Sequence, residues 1–248
     1  MVTANFRFYA GLNDFLPPGR RQQTFTLDAA ADATLKHRIE AAGVPHPEVA
    51  LILVDGMPAG FDAMLRGGER VAVYPRFVSL DTATLPRLRD MPPAPPRFIA
   101  DAHLGGLARL LRMAGFDTLY RNDWPDEELA AIAARDGRIV LTRDRELLKR
   151  REVAHGAYLR TLKPIDQLRE LLARFDLAAA FRPFCRCMAC NAPLRPVDKG
   201  AVAERLPPSV LVRHQHFTCC DACGRVYWQG SHWRRMRALL QALTKGAD

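Results

Sequence analysis

The chain has 248 residues, room for one large domain or two to three small ones, and its 48% hydrophobic share supports buried cores. It has no run of about 18 apolar residues, and the start, MVTANFRFYAGLNDF, lacks the basic head and apolar stretch of a signal peptide. Neither a membrane contact nor export is therefore expected, and the cytoplasm is the expected compartment. The formal net charge of +9 is uneven, because residues 181–248 hold eleven basic and four acidic side chains, as suits a tail that meets a polyanion.

Residues 5–78 read as a self-contained small domain. Residues 5–10 alternate as a strand does, 24–27 form a second strand, and 32–42 read as a helix stopped by Gly43. Residues 49–54 are an apolar strand turned at Asp55-Gly56, and 70–74 close the set. Two strands, a helix and further strands is the order of a β-grasp domain. With LRGGERVAVYPRF at its end, the segment resembles the ubiquitin-like domains related to bacterial sulfur carriers. Those carriers need a free C-terminal diglycine, whereas Gly67-Gly68 is internal here and reads as a turn before the last strand. Residues 1–80 are therefore expected to contact a protein partner or guide a substrate, not to carry sulfur. Residues 81–96, DTATLPRLRDMPPAPP, contain five prolines and read as an extended spacer.

Residues 97–180 alternate strand and helix. Residues 98–100 are a short apolar run stopped by Asp101; Leu104, Leu107, Leu111 and Ala114 then recur at helical spacing up to Gly115. Residues 116–120 read as a strand, Pro125 opens a second helix that Gly137 ends, and 138–142 form a third strand just before Asp144. Residues 145–152 are expected to be a basic helix, 157–160 a fourth strand, and 164–175 a helix with Leu168, Leu171, Leu172 and Phe175 inward.

Such alternation implies parallel strands whose carboxyl ends share one edge, where open α/β sheets keep their crevices. Asp101 and Asp144 would lie there, and the start of the Pro125 helix could add a third carboxylate. Carboxylates gathered in one place repel unless a divalent cation neutralises them, and oxygen ligands suit Mg²⁺ or Mn²⁺. The plainer reading is that each aspartate caps a helix. Arg143 and Arg145 flank Asp144 and could contact phosphate.

In the tail, Cys187-Met188-Ala189-Cys190 and Cys220-Asp221-Ala222-Cys223 are paired CxxC knuckles, followed by Asn191 and Gly224. Six cysteines in a reducing compartment favour metal over disulfides, and this spacing lets Cys187, Cys190, Cys220 and Cys223 wrap one Zn²⁺. Four thiolates leave no open position, so the ion would be structural. The 29 residues between Cys190 and Cys220 imply an inserted loop, and Cys185 and Cys219 are surplus. Arg225, Arg234 and Arg235 lie among Tyr227, Trp228 and Trp233, a mixture that can hold phosphates and stack bases. The tryptophans could equally be packing.

The segments ADAHLGGLARLLRMAGFDT and GRIVLTRDREL, with the cysteine tail, resemble the Mut-seven C-terminal RNase domain over residues 97–240. That family has a PIN-like nuclease fold with a zinc ribbon. The resemblance implies an α/β chain in four parts: a ubiquitin-like domain (1–80), a spacer (81–96), a PIN-like parallel-sheet domain (97–180), and a zinc ribbon with a C-terminal helix (181–248). It implies Mg²⁺- or Mn²⁺-dependent hydrolysis of RNA. Asp101 matches the first acidic position, Asp144 the TRD aspartate, and Asp126 the middle one, with Asp123 and Glu127 as rivals. A fourth acidic position has no clear match, Asp166 being the nearest candidate. The rival functions are a non-catalytic RNA-binding adaptor and a protein-interaction module.

Overall fold

A computed structural model describes residues 1–76, Leu88, Asp90, 94–175 and 177–245. In chain order the elements are β1 (Val2–Phe8), β2 (Phe25–Ala29), α1 (Leu35–Ala41), β3 (Val49–Val54), β4 (Met57–Pro58), β5 (Arg70–Pro75), β6 (Phe98–Ala100), α2 (Gly105–Ala114), β7 (Thr118–Tyr120), α3 (Asp126–Asp136), β8 (Ile139–Thr142), α4 (Arg145–Lys149), β9 (Gly156–Tyr158), α5 (Pro164–Phe175), β10 (Arg195–Val197), α6 (Lys199–Val202), α7 (Pro208–Arg213), β11 (Phe217–Cys219), β12 (Val226–Trp228) and α8 (Ser231–Lys245). Two units result: one joins described residues of Met1–Pro93 to Trp124–Arg160, the other joins Ala94–Asp123 to Thr161–Asp248. Most of the spacer read over 81–96 lies outside the described residues.

In the first unit, β1 pairs antiparallel with β2 and parallel with β5, and β5 pairs antiparallel with β3, which is the β-grasp order. Phe6, Phe8, Leu12, Leu35, Ile39, Ile52, Val71 and Val73 form its buried core. The helix starts at Leu35, three residues later than the sequence suggests, because Thr34 is the cap and its hydroxyl accepts from His37 N at 3.3 Å. The strand β1 reaches back to Val2, whose partner is Ala29. Asp55 and Gly56 both adopt positive φ, making the expected turn between β3 and β4. Arg38, which helical periodicity gave no reason to single out, is buried and donates to the carbonyls of Ala33, Val2 and Ala30.

The same unit contains β8 and β9, paired in parallel. The helix α3 starts with Asp126, Glu127 and Glu128, carboxylates suited to the positive end of the helix dipole. The helix α4 stops at Lys149, short of the expected Glu152, where Arg150 takes an extended ψ of 140° and pairs with Glu127. The strand β9 ends at Tyr158, because Arg160 turns toward Asp14. This segment meets the β-grasp part directly: Tyr158 N donates to Glu48 Oε1 at 2.6 Å, and His46 Nε2 lies 2.9 Å from Val153 O.

In the second unit β6 and β7 pair in parallel, and α2 lies beside them with Leu107, Leu111 and Ala114 buried. Gly105 is required by close approach: a Cβ there would come 2.7 Å from the Tyr120 ring, whose hydroxyl donates to Ala102 O. Along α5, Leu168 and Leu171 face inward as expected, joined by Gln167, which donates to Thr161 O at 3.0 Å; Leu172 and Phe175 are half-buried. The strands β10, β11 and β12 form an antiparallel meander. The inserted loop between the knuckles is partly helical, carrying α6 and α7. No helix among the described residues is long and apolar enough to cross a membrane.

Candidate metal centre and acidic positions

The two knuckles fold alike. In the first, Asn191 N donates to Cys187 O at 2.9 Å and Cys187 N to Ala192 O at 2.8 Å. In the second, Gly224 N donates to Cys220 O at 2.8 Å and Cys220 N to Arg225 O at 2.9 Å. Asn191 (φ 73°) and Gly224 (φ 74°) occupy the same left-handed position, which asparagine and glycine tolerate best. The sulfurs of Cys187, Cys190, Cys220 and Cys223 lie within 4.8 Å of one another, with Cys187 and Cys223 at 3.5 Å and Cys190 and Cys220 at 3.3 Å. Metal–sulfur bonds of about 2.3 Å in a tetrahedron place sulfurs about 3.8 Å apart, so the four cysteines could hold a metal such as zinc. Cys185 stands outside the cluster, facing Gly115 O, and Cys219 is buried beside it.

Electrostatics around the sulfurs is uneven. Burial pushes the Cys187 thiol up, but the Tyr227 hydroxyl at 3.1 Å, the amides of Cys190 and Ala189, and Cys223 outweigh it and bring it down to about 6. Burial and the neighbouring thiols push Cys190 up to about 12. Burial, followed by the Cys187 sulfur, also raises Tyr227.

The first knuckle is fastened to α2 and β7 by Arg112, which sequence reasoning missed, and by Asn191, whose fastening role it did not show. Buried Arg112 donates through Nε to Thr118 O at 2.8 Å and through Nη1 to Ala189 O at 2.7 Å and Met188 O at 3.3 Å. Burial lowers its pKa, against the pull of Cys190, Cys187 and Asp117, and its cation would face the net negative charge that four thiolates keep when they hold a divalent ion. Asn191 accepts from Thr118 N at 2.9 Å and donates to Asp117 Oδ1 at 2.7 Å. Its side chain therefore does more than suit a turn.

The carboxylates expected at the crevice are divided between the units. In the second unit, Asp101 directly follows β6 and accepts from Ala102 N at 2.5 Å as an N-cap. In the first, Asp144 lies two residues past β8 and caps α4, with Oδ1 accepting from Glu146 N at 2.8 Å. Asp126 sits exposed in the first turn of α3. Its rivals are engaged elsewhere: Asp123 is forked by Arg121 at 2.7 and 2.9 Å, which holds its carboxyl below the usual range, and Glu127 faces Arg150. Asp166 pairs with Arg169 at 2.6 Å. Arg143, Arg225, Arg234 and Arg235 are exposed, whereas Arg145 already donates to the carbonyls of Phe15 and Asp14. Trp233 packs on Phe184 with ring centres 5.1 Å apart.

A β-grasp domain, parallel strand pairs with helices beside them and a four-cysteine cluster able to form a zinc ribbon together define a mixed α/β protein with a ubiquitin-like domain. Residues 96–240 match the Mut7-C RNAse domain and residues 1–81 match Mut7-C ubiquitin, and the chain belongs to the Mut7-C RNAse domain family. The human exonuclease mut-7 homolog is 36% identical over 101 residues, covering 38% of this chain and only 12% of that relative's own length. The small archaeal modifier protein 1 of Haloferax volcanii, in a crystal structure, is similar over 31% of this chain and 100% of its own, at 18% identity and a TM-score of 0.26. A second crystal structure, of SAMP1 from the same organism, matches over 98% of its own length with the same identity and TM-score. The family description supports a nuclease-like enzyme.

Proposed function

We propose that this chain is a metal-dependent ribonuclease that hydrolyses RNA phosphodiester bonds in the cytoplasm. The observation that carries the reading is the placement of Asp101 and Asp144 just past the carboxyl ends of β6 and β8, each in a parallel pair, in a chain of an RNAse domain family. Asp101, Asp126 and Asp144 would hold Mg²⁺ or Mn²⁺, an ion that supplies a water of lowered pKa and offsets charge in the in-line transition state. The backbone amides of Ala102 and Glu146 orient two of these carboxylates. The four-cysteine cluster would hold Zn²⁺ as a structural ion. Exposed Arg143, Arg225, Arg234 and Arg235 would hold the RNA backbone. A protein partner would meet the ubiquitin-like domain.

The test is Mn²⁺-dependent cleavage of labelled single-stranded RNA by the full chain. Asp144→Asn is expected to abolish cleavage while leaving RNA affinity equal or slightly higher, since a negative charge near phosphate is removed. Replacing Arg234 and Arg235 by Gln is expected to flatten the logarithmic salt dependence of binding by about 0.7 for each phosphate no longer neutralised. An adaptor would keep that salt dependence and show no metal-dependent cleavage on any RNA.

A further inference from the structure

Arg145 directly follows Asp144 and opens α4, yet its guanidinium is engaged within the protein. Its Nη1 donates to Phe15 O at 3.1 Å and its Nη2 to Asp14 O at 3.4 Å, both in the ubiquitin-like domain. The same group lies 5.1 Å from the centre of the Phe15 ring and 5.6 Å from that of Tyr158, and these rings meet edge to face at 5.3 Å. Tyr158 ends β9 and packs against the β-grasp core. Arg160 closes the arrangement: it too lies over Phe15, pairs with Asp14 at 2.9 Å and donates to Gly11 O at 2.9 Å. Two arginines thus grip the turn Ala10–Phe15. A planar guanidinium can fork onto carbonyls and stack on rings at once; an ammonium cannot.

Asp144 needs such an anchor. The helix it caps has five residues, too few for its own hydrogen bonds to fix where it starts. Its position comes from packing: Leu147 and Leu148 are buried, and α4 lies against the turn His46–Glu48 of the ubiquitin-like domain. The Asp144 amide donates to Thr142 Oγ1 at 2.9 Å, which ties the Asp144 backbone to β8.

We infer that Arg145 is a positioning residue through which the ubiquitin-like domain holds the Asp144 carboxylate in place. The catalytic consequence rests on the ribonuclease reading above; the structural one does not. Arg145→Lys in the full chain separates the alternatives, because lysine keeps a charge for phosphate but loses the fork and the stack. Positioning predicts a folded protein in which hydrogen exchange across residues 143–150 quickens and kcat falls about tenfold or more with KM for RNA unchanged. Arg145→Ala should then be no worse than Arg145→Lys. A rise in KM for Arg145→Ala that lysine rescues, with exchange and kcat unmoved, would make Arg145 a phosphate ligand and overturn the inference. If the unaltered chain cleaves no RNA, the ribonuclease reading fails, and the exchange rate across 143–150 alone decides the positioning role. Unchanged exchange in Arg145→Lys would then end it.

Discussion

The ubiquitin-like domain and the cysteine ribbon are both small sheets, but they are held together by different means. The first buries Phe6, Phe8, Leu12, Ile39, Ile52 and Val73 almost completely. The ribbon strands bury Phe217 and Cys219, with Cys187 and Cys220 buried in the knuckles, while Val226, Tyr227 and Trp228 are half-buried. Apolar area removed from water contributes roughly 25 cal/mol per Å², so a sheet with so little of it needs another source of stability. Metal–sulfur bonding is that source in the reading proposed above. On that reading, fold stability in this chain would be a matter of side-chain volume in one region and of coordination chemistry in the other.

The contrast is most sharply broken by removing metal. Binding of structural zinc is worth roughly 10–16 kcal/mol, so chelation or Cys187→Ser is expected to unfold the ribbon while the ubiquitin-like domain keeps its structure. Tryptophan fluorescence of Trp228 and Trp233 would follow the loss. Cys185→Ser should change nothing, and equal damage from it would mean that the ligand set is wrong. Next in size, Phe6→Ala should cost the ubiquitin-like domain about 3–5 kcal/mol by leaving a cavity, read as a lowered Tm. Zinc stoichiometry should not move; a fall would show that the two regions are one cooperative structure. Arg112→Met is expected to cost about 3 kcal/mol, because the carbonyls of Thr118, Met188 and Ala189 lose a buried cationic donor. Zinc release to a chelating dye should quicken in the same variant, and a purely local effect would leave that rate alone.

What could be read from the sequence was what is encoded by near neighbours. Gly115 and Gly137 stop their helices with positive φ, Pro164–Phe175 is a helix over the expected span, and Asp55-Gly56 turns the β3–β4 hairpin. The CxxC spacing and the turn residues after it were equally local. The misses have distant partners. Arg112 sits on a helix where an arginine ordinarily faces water, and the carbonyls that bury it belong to residues 188 and 189. Arg145 reads as a phosphate ligand because Asp144 is beside it, but its partners are Phe15 and Asp14. Asn191 was legible as a turn residue, not as the clasp on Thr118. Asp101 and Asp144 illustrate a different difficulty, since an aspartate just past a strand caps the following turn whether or not it also serves a cation.

The hydrogen bond from Tyr158 N to Glu48 bears on how copies of this protein behave in a crowded solution. Among the described residues the strand β9 has one strand neighbour, β8, and a bare outer edge is a template on which a second chain can add a strand. Glu48 occupies that template with its carboxyl side chain, and a Cβ at Gly156 would come 3.4 Å from Pro47 Cβ. A chain shortened to begin at Phe98 would lose both guards. Such a fragment is expected to self-associate edge to edge and precipitate at concentrations where the whole chain stays dispersed, which light scattering of the two would compare.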